Sequence, residues 1–248
     1  CGLSARWSWI GVLLLASYPI TSALLVSMHT ELPATATLLG IVWLLQASEA
    51  AERARTLLLL GLLAGLLLQF KASMLLPLGL LVLWMAWRWR DALPWRALAP
   101  ATAAGFFAGA SSYVCSWALT GNPVLPLYNG WFQSPFFLAE NLRDDRFGSG
   151  PGIDLLWQAL VHTDRIYESW AMAGGWHVLV LAVAVPLALL HPRSRGLALI
   201  ALIYLVGMYT LMHYLRYVYP ALVLLIPAML LGLSQLRPQR AALGLALA

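Results

Sequence analysis

Long apolar runs separated by short polar connections recur along most of this chain. They occupy residues 8–28, 32–47, 56–70, 73–87, 97–119, 175–190, 196–212 and 217–233. Several reach the roughly 20 residues that an α-helix needs to cross a bilayer, whereas the second and third are shorter. The pattern therefore predicts an all-α, polytopic transmembrane helix bundle of about eight helices.

The composition excludes a water-soluble fold. Of the 248 residues, 61% are hydrophobic and 10% are charged, whereas charged residues make up roughly a quarter of an ordinary soluble domain. The two cysteines are far apart and give neither a disulfide framework nor a metal-ligand spacing.

The charged residues fall into two sets if the predicted helices alternate sides. The set that includes Arg6 and Arg193 has ten basic and three acidic residues, and the set that includes Lys71 and Arg216 has five basic and seven acidic residues. The positive-inside rule places the first set, and both chain ends, in the cytoplasm. The net charge of +5 is then a topology signal, and we expect no nucleic-acid partner.

Lys71 is the only lysine, and it lies in the otherwise apolar stretch 57–87. One continuous helix over 56–89 would be about 51 Å long and would reverse the side of every later charge. We therefore predict two short helices joined near Lys71, which lies at the outer membrane face. There it either snorkels to the interface or faces a polar functional site.

The segment 120–174 is a long outer loop. It divides the chain into residues 1–119, with predicted helices one to five, and 175–248, with helices six to eight and the start of a further apolar segment. The aromatic part at 122–138 favours headgroup depth. Apolar residues at helical spacing over 153–167 predict an amphipathic helix on the outer leaflet. We expect this loop to roof a cavity.

Two further ionisable residues lie on the predicted outer side. Glu31 precedes an apolar run, where a carboxylate either caps a helix or binds a metal or an acceptor hydroxyl. Arg216 lies between tyrosines, where it is either an interface anchor or a second cation for an anionic headgroup. The acidic residues and histidines of the long loop, with His177, lack metal-ligand spacing and are predicted to be solvated.

Several segments together resemble bacterial polytopic glycosyltransferases of the GT-C type, the group that includes the dolichyl-phosphate-mannose-protein mannosyltransferase-like enzymes. They are TGNPVLPLYN at 120–129, HTELPATATLLGIVWLL at 29–45, GLLLQFKASMLLPL at 65–78, YLRYVYPAL at 214–222 and RIYESWAMAGGWHVLVLAVAVPLAL at 165–189. The likeness covers about residues 9–233, in the order that the family has.

This resemblance implies transfer of a sugar from a polyprenyl-phosphate-linked donor to an acceptor lipid, glycan or protein on the outer side of a bacterial inner membrane. It assigns the donor phosphate to Lys71 and Arg216, and it places Glu31 beside the acceptor or a divalent cation, Mg or Mn. The predicted substrate-binding residues are Lys71, Arg216, His29, Asn122, Tyr128 and Asn129, and the predicted catalytic residue is Glu31.

One feature of the family has no counterpart here, because its principal catalytic aspartate lies in a first outer loop. We therefore expect an N-terminal portion to precede this chain, and the chain alone to be inactive. Three alternatives stay open. An O-antigen ligase-like or polymerase-like enzyme would carry a more arginine-rich loop, and a membrane transporter would place ionisable residues near helix midpoints. A purely structural membrane protein would leave Lys71, Glu31 and Arg216 unrelated in space.

Overall fold

The computed structural model describes residues 3–27, 29–141, 155–166, 169–211 and 214–234. The fold is all-α as predicted, with 77% helix and no strand among the described residues. The helices are α1 (Ala5–Ala16), α2 (Pro19–Val26), α3 (Glu31–Ala47), α4 (Arg53–Phe70), α5 (Leu75–Arg88), α6 (Trp95–Gly109), α7 (Ser111–Thr120), α8 (Asn129–Phe132), α9 (Leu155–Val161), α10 (Thr163–Ile166), α11 (His177–Leu190), α12 (Arg195–Leu211) and α13 (Leu215–Ser234).

Fewer helices than predicted are long enough to cross a membrane. Within the described residues, Ala50–Phe70 and Leu215–Ser234 qualify by length and composition, and α1 with α2 makes a third span if this pair, bent by 67°, is counted as one. Four other apolar helices have 10–17 residues. At 1.5 Å per residue, 17 residues span about 26 Å, less than the roughly 30 Å hydrocarbon core. The count of eight is therefore not borne out.

The chain forms two compact units. We call residues 1–29 and 147–248 the terminal unit, and residues 30–146 the central unit. The further apolar segment predicted after residue 240 lies outside the described residues.

Helix α13 is the core of the terminal unit. It packs against α12, α11 and α1, and 78% of its most apolar window is buried. A helix that is hydrophobic on every side is expected to be surrounded by other helices. Hydroxyl groups add specific contacts, because the Tyr204 hydroxyl donates to the Tyr217 carbonyl (2.9 Å) and the Tyr219 hydroxyl lies 3.1 Å from that of Thr21.

The amphipathic helix predicted over 153–167 is divided in the structure. Its described part forms two short helices, α9 and α10, with a break at His162. The buried Thr163 hydroxyl donates to the Ala159 carbonyl (2.9 Å) and accepts from the Gly174 N–H (3.1 Å). This side chain therefore joins the break to the chain that leads into α11. Residues 142–154, 167 and 168 lie outside the described part.

In the central unit, α4 and α6 cross at very short range. A Cβ atom placed on Gly65 would lie 2.0 Å from the Gly105 carbonyl oxygen, and one on Gly61 would lie 2.1 Å from the Ala101 oxygen. Such approaches leave no room for any side chain. The glycine pairs Gly61/Gly65 of α4 and Gly105/Gly109 of α6, each spaced i, i+4, thus allow the two helix backbones to touch.

The predicted break at Lys71 is confirmed. Helix α4 ends at Phe70, Lys71 is extended (φ −163°, ψ 121°), and a 3-10 turn over Ala72–Met74 leads into α5. At the other ends of these helices, the Arg53 guanidinium donates to the Ala92 carbonyl (3.2 Å) and lies over the buried Trp89 ring.

Large apolar side chains are exposed along the helices of both units. Examples are Trp43, Leu83, Phe107 and Val183, which are 59% to 80% exposed. Contiguous apolar surface of this kind is unusual on a soluble monomer and is expected where helices face lipid. The exposed surface therefore agrees with helices that are apolar enough to enter a membrane.

Candidate functional site

Lys71 and Glu31 form a buried ion pair in the central unit. The Lys71 ammonium donates to a Glu31 carboxylate oxygen, and the two side chains are only 10% and 4% exposed. Two independent backbone features fix the positions. Lys71 caps α4 through its N–H to the Leu67 carbonyl, and Glu31 begins α3. Because a buried single charge is costly, each side chain stabilises the ionised form of the other.

The helix end that carries Lys71 is tied to α7. The last carbonyl groups of a helix lack partners within that helix, and here the Tyr113 hydroxyl donates to the Leu68 carbonyl. One residue further, the Gln69 amide donates to the Ser111 hydroxyl (2.9 Å). These contacts hold the C-terminal turn of α4 in place and therefore position Lys71.

An apolar groove of about 680 Å³ runs along α4 in the same unit. Its lining includes the four glycines of the α4–α6 crossing, Gly61, Gly65, Gly105 and Gly109. Along α4 the lining extends from Leu57 to Leu68, a length of about 17 Å. Its lining on α4 ends at Leu68, three residues before Lys71, and Tyr113 and Pro123 also line it. The groove and the ion pair are therefore close along α4, but neither Lys71 nor Glu31 lines the groove.

Arg216 and His29 meet in the terminal unit. An Arg216 guanidinium nitrogen lies 3.4 Å from the His29 Nε2 atom. The guanidinium also lies over the rings of Tyr214 and Tyr217, at 5.1 and 5.8 Å from their centroids. Arg216 is the second residue of α13, so a cation and the positive end of a helix dipole lie together. Both favour an anion at this position.

Asn122 and Asn129 hold residues 122–138 of the predicted outer loop together. Both are completely buried. The Asn122 amide donates to the Leu127 carbonyl (3.0 Å), and its Nδ2 atom lies 3.2 Å from the Asn129 Oδ1 atom. The Asn129 amide lies 3.0 Å from the carbonyls of Ser134, Phe137 and Leu138. Both side-chain amides are therefore engaged in hydrogen bonds within the loop. Binding of substrate by either residue stays a prediction.

Tyr128 differs from the two asparagines. It is half exposed, its backbone is left-handed (φ 54°), and its ring stacks on Trp131 with centroids 5.2 Å apart. The seven predicted site residues thus form two pairs and a loop cluster: Lys71 with Glu31, Arg216 with His29, and Asn122 with Asn129 beside Tyr128.

His177 is a polar centre that the sequence analysis missed. It is 4% exposed rather than solvated. Its Nε2 atom lies 3.0 Å from the Ser17 hydroxyl and 3.1 Å from the Leu14 carbonyl, and its ring lies between those of Tyr18 and Trp176. His177 therefore fills the bend between α1 and α2. No local signal marks this contact, because its partners lie about 160 positions away in the chain.

Within the described residues, no three His, Cys, Asp or Glu side chains lie close enough together to form a metal site. A metal-binding role for Glu31 therefore stays a prediction.

Comparison of the chain with protein-family models, with curated proteins and with solved structures gave no match.

Proposed function

We propose that this chain carries the donor-binding part of a membrane glycosyltransferase, which moves a sugar from a polyprenyl phosphate to an acceptor on the outer side of the membrane. The proposal rests on the buried Lys71–Glu31 pair, whose lysine follows the last residue of α4, and on the apolar groove that lies along the same helix. A phosphate joined to a long hydrocarbon chain needs both a cation and an apolar channel beside it.

Lys71 supplies the cation. An ammonium is a compact point charge that suits a phosphate oxygen. In the structure this charge faces the Glu31 carboxylate. A donor phosphate that binds Lys71 would replace or share this partner, and the Glu31 carboxylate would then be available to an acceptor hydroxyl or a divalent cation. In the reaction, Lys71 would stabilise the charge that develops on the departing lipid phosphate.

The groove supplies the place for the first isoprene units of the donor. Its lining is almost entirely aliphatic and aromatic, with Leu57, Leu60 and Leu68 of α4 along one side. Burial of hydrocarbon there contributes affinity without sequence-specific polar contacts. In this proposal one helix, α4, serves both parts of the donor. Lys71 at its end binds the phosphate, and the groove along its length binds the hydrocarbon chain.

Arg216 is the second phosphate-binding residue that the sequence predicts. The terminal unit holds it at the N-terminus of α13 between two tyrosine rings. A guanidinium and a helix N-terminus are both positive, so an anion bound between them is stabilised by both. This arrangement supports, within its own unit, the anion-binding role that the resemblance assigns.

The proposal can be tested by ligand retention, measured by native mass spectrometry of the purified chain in detergent. We expect retention of a polyprenyl-phosphate monosaccharide well above that of the uncharged polyprenol. Preference for a polyprenyl-diphosphate oligosaccharide would instead favour the O-antigen ligase or polymerase alternative. Equal retention of the phosphate and the polyprenol would overturn phosphate recognition altogether.

A further inference from the structure

Between residues 122 and 138, three polar side chains are buried and most large apolar side chains are exposed, although Gln133 is exposed as well. Asn122 and Asn129 are 0% exposed and Ser134 is 4% exposed. By contrast, six large apolar side chains point outward. We call these the aromatic face: Tyr128, Trp131, Phe132, Phe136, Phe137 and Leu138, which are 39% to 74% exposed. A loop surrounded by water would have the opposite arrangement, since exposed polar groups need no internal partner.

This arrangement is a built feature of the loop. The two asparagine side chains make hydrogen bonds to six backbone groups between Val124 and Leu138. The short helix α8 is bounded by Tyr128 and Gln133, which both have left-handed backbone (φ 54° and 51°). Non-glycine residues rarely adopt this conformation. The strain is offset by the asparagine contacts, and the result is a fixed apolar surface.

The chemistry of the aromatic face fits a lipid interface. Residues 120–139 contain no Asp, Glu, Lys or Arg, and the first charged residue is Glu140. Tyrosine and tryptophan favour the boundary between headgroups and acyl chains, where rings contact hydrocarbon and polar edges reach water. The preceding helix also presents apolar side chains, with Trp117 64% and Leu119 70% exposed. The apolar surface is thus continuous along the chain from α7 into the loop.

We propose that the aromatic face is a lipid anchor, which inserts at the headgroup boundary of the leaflet on its own side of the membrane. Its partner is phospholipid, because the face combines tyrosine and tryptophan with no charged residue and continues the exposed apolar side chains of α7. This inference is independent of the glycosyltransferase proposal. It concerns where the loop lies and not what the chain catalyses.

Site-directed spin labelling in phospholipid vesicles tests this anchor. In a background with Cys1→Ser and Cys115→Ala, single cysteines replace Trp131, Phe136 or the exposed control Glu140. We expect labels at 131 and 136 to collide frequently with oxygen, which dissolves in lipid, and rarely with a water-soluble nickel complex. The label at 140 should show the reverse. Because two positions on the face are labelled separately, a disturbance of the loop by one of the substitutions would not decide the result.

Two outcomes would overturn the proposal. Nickel access at 131 and 136 equal to that at 140 would show that the face lies in water. Low access to both reagents at 131 and 136 would show that protein covers it, either a second copy or another segment of this chain.

Discussion

Lys71 at the end of α4 donates a hydrogen bond to the carboxylate of Glu31 in the first turn of α3. The carboxylate therefore lies at the positive end of one helix dipole, and the ammonium lies at the negative end of another. Both charges are stabilised by their helices as well as by each other. This explains how two ionised groups are tolerated in a mostly apolar unit, and it means that a phosphate must compete with Glu31 for Lys71.

Removing one charge of this pair should destabilise the protein more than removing both. Lys71→Met leaves the buried Glu31 carboxylate without the Lys71 cation, and we expect a loss of about 3–5 kcal/mol in the free energy of unfolding. Lys71→Met combined with Glu31→Leu should recover much of it. Denaturant unfolding in detergent measures this double-mutant cycle. Additive single effects would contradict a coupled pair.

The exposed Arg90–Asp91 contact is the matched control for that cycle. The two groups are 3.6 Å apart, and their side chains are 68% and 90% exposed. Because exposed ion pairs contribute little, Arg90→Gln should leave the unfolding transition almost unchanged.

The α4–α6 crossing should not tolerate even one methyl group. Gly65→Ala would put a carbon atom against the Gly105 carbonyl oxygen, and we expect a cost of about 1–3 kcal/mol or more as the helices move apart. Gly79→Ala in α5 is the control, because no atom lies within 4 Å of its added methyl group. Thermal unfolding of both variants in detergent should show a lower transition temperature for Gly65→Ala alone.

The outer loop should depend on Asn129. Asn129→Ala removes the buried contacts to Ser134, Phe137 and Leu138, and we expect a loss of about 1–3 kcal/mol in the local stability of the loop. Faster amide hydrogen exchange over 129–138 would report it. The exposed Glu140→Gln should leave that exchange unchanged, and equal exchange in both variants would show that the asparagine contacts do not stabilise the loop.

The groove should recognise the lipid chain. Ala64→Phe fills the groove and should weaken binding of a long-chain polyprenyl phosphate several-fold, roughly 1 kcal/mol. Ala103→Phe on the exposed face of α6, outside the groove, is the control. A short-chain prenyl phosphate should bind both variants alike. An equal loss of long-chain binding in the two variants would contradict a role for the groove.

Sequence reasoning located the break at Lys71 because a lone cation inside a long apolar run has few stable positions. By contrast, the pairing of Lys71 with Glu31 joins positions 40 residues apart. Periodicity gives the face of each helix but not which helix lies beside it.

The number of membrane spans was overestimated for a related reason. Hydropathy along the chain does not show where an apolar run bends, and Ser17 and Tyr18 divide the first run by a turn of 67°. His177 fills that bend from far along the chain, so its burial depends on tertiary packing. The loop asparagines look like ordinary turn residues in sequence, and only the fold shows that they organise an apolar surface.

The central claim, that Lys71 binds the donor phosphate, is tested most directly by the affinity of a polyprenyl phosphate for a charge-free variant. Lys71→Gln combined with Glu31→Gln removes both charges, so that neither buried charge is left without the other. We expect at least a tenfold loss of affinity, about 1.4 kcal/mol, while Arg96→Gln, which removes an exposed cation of the same unit, binds as the unaltered chain does. Unchanged affinity in a folded double variant would contradict the claim.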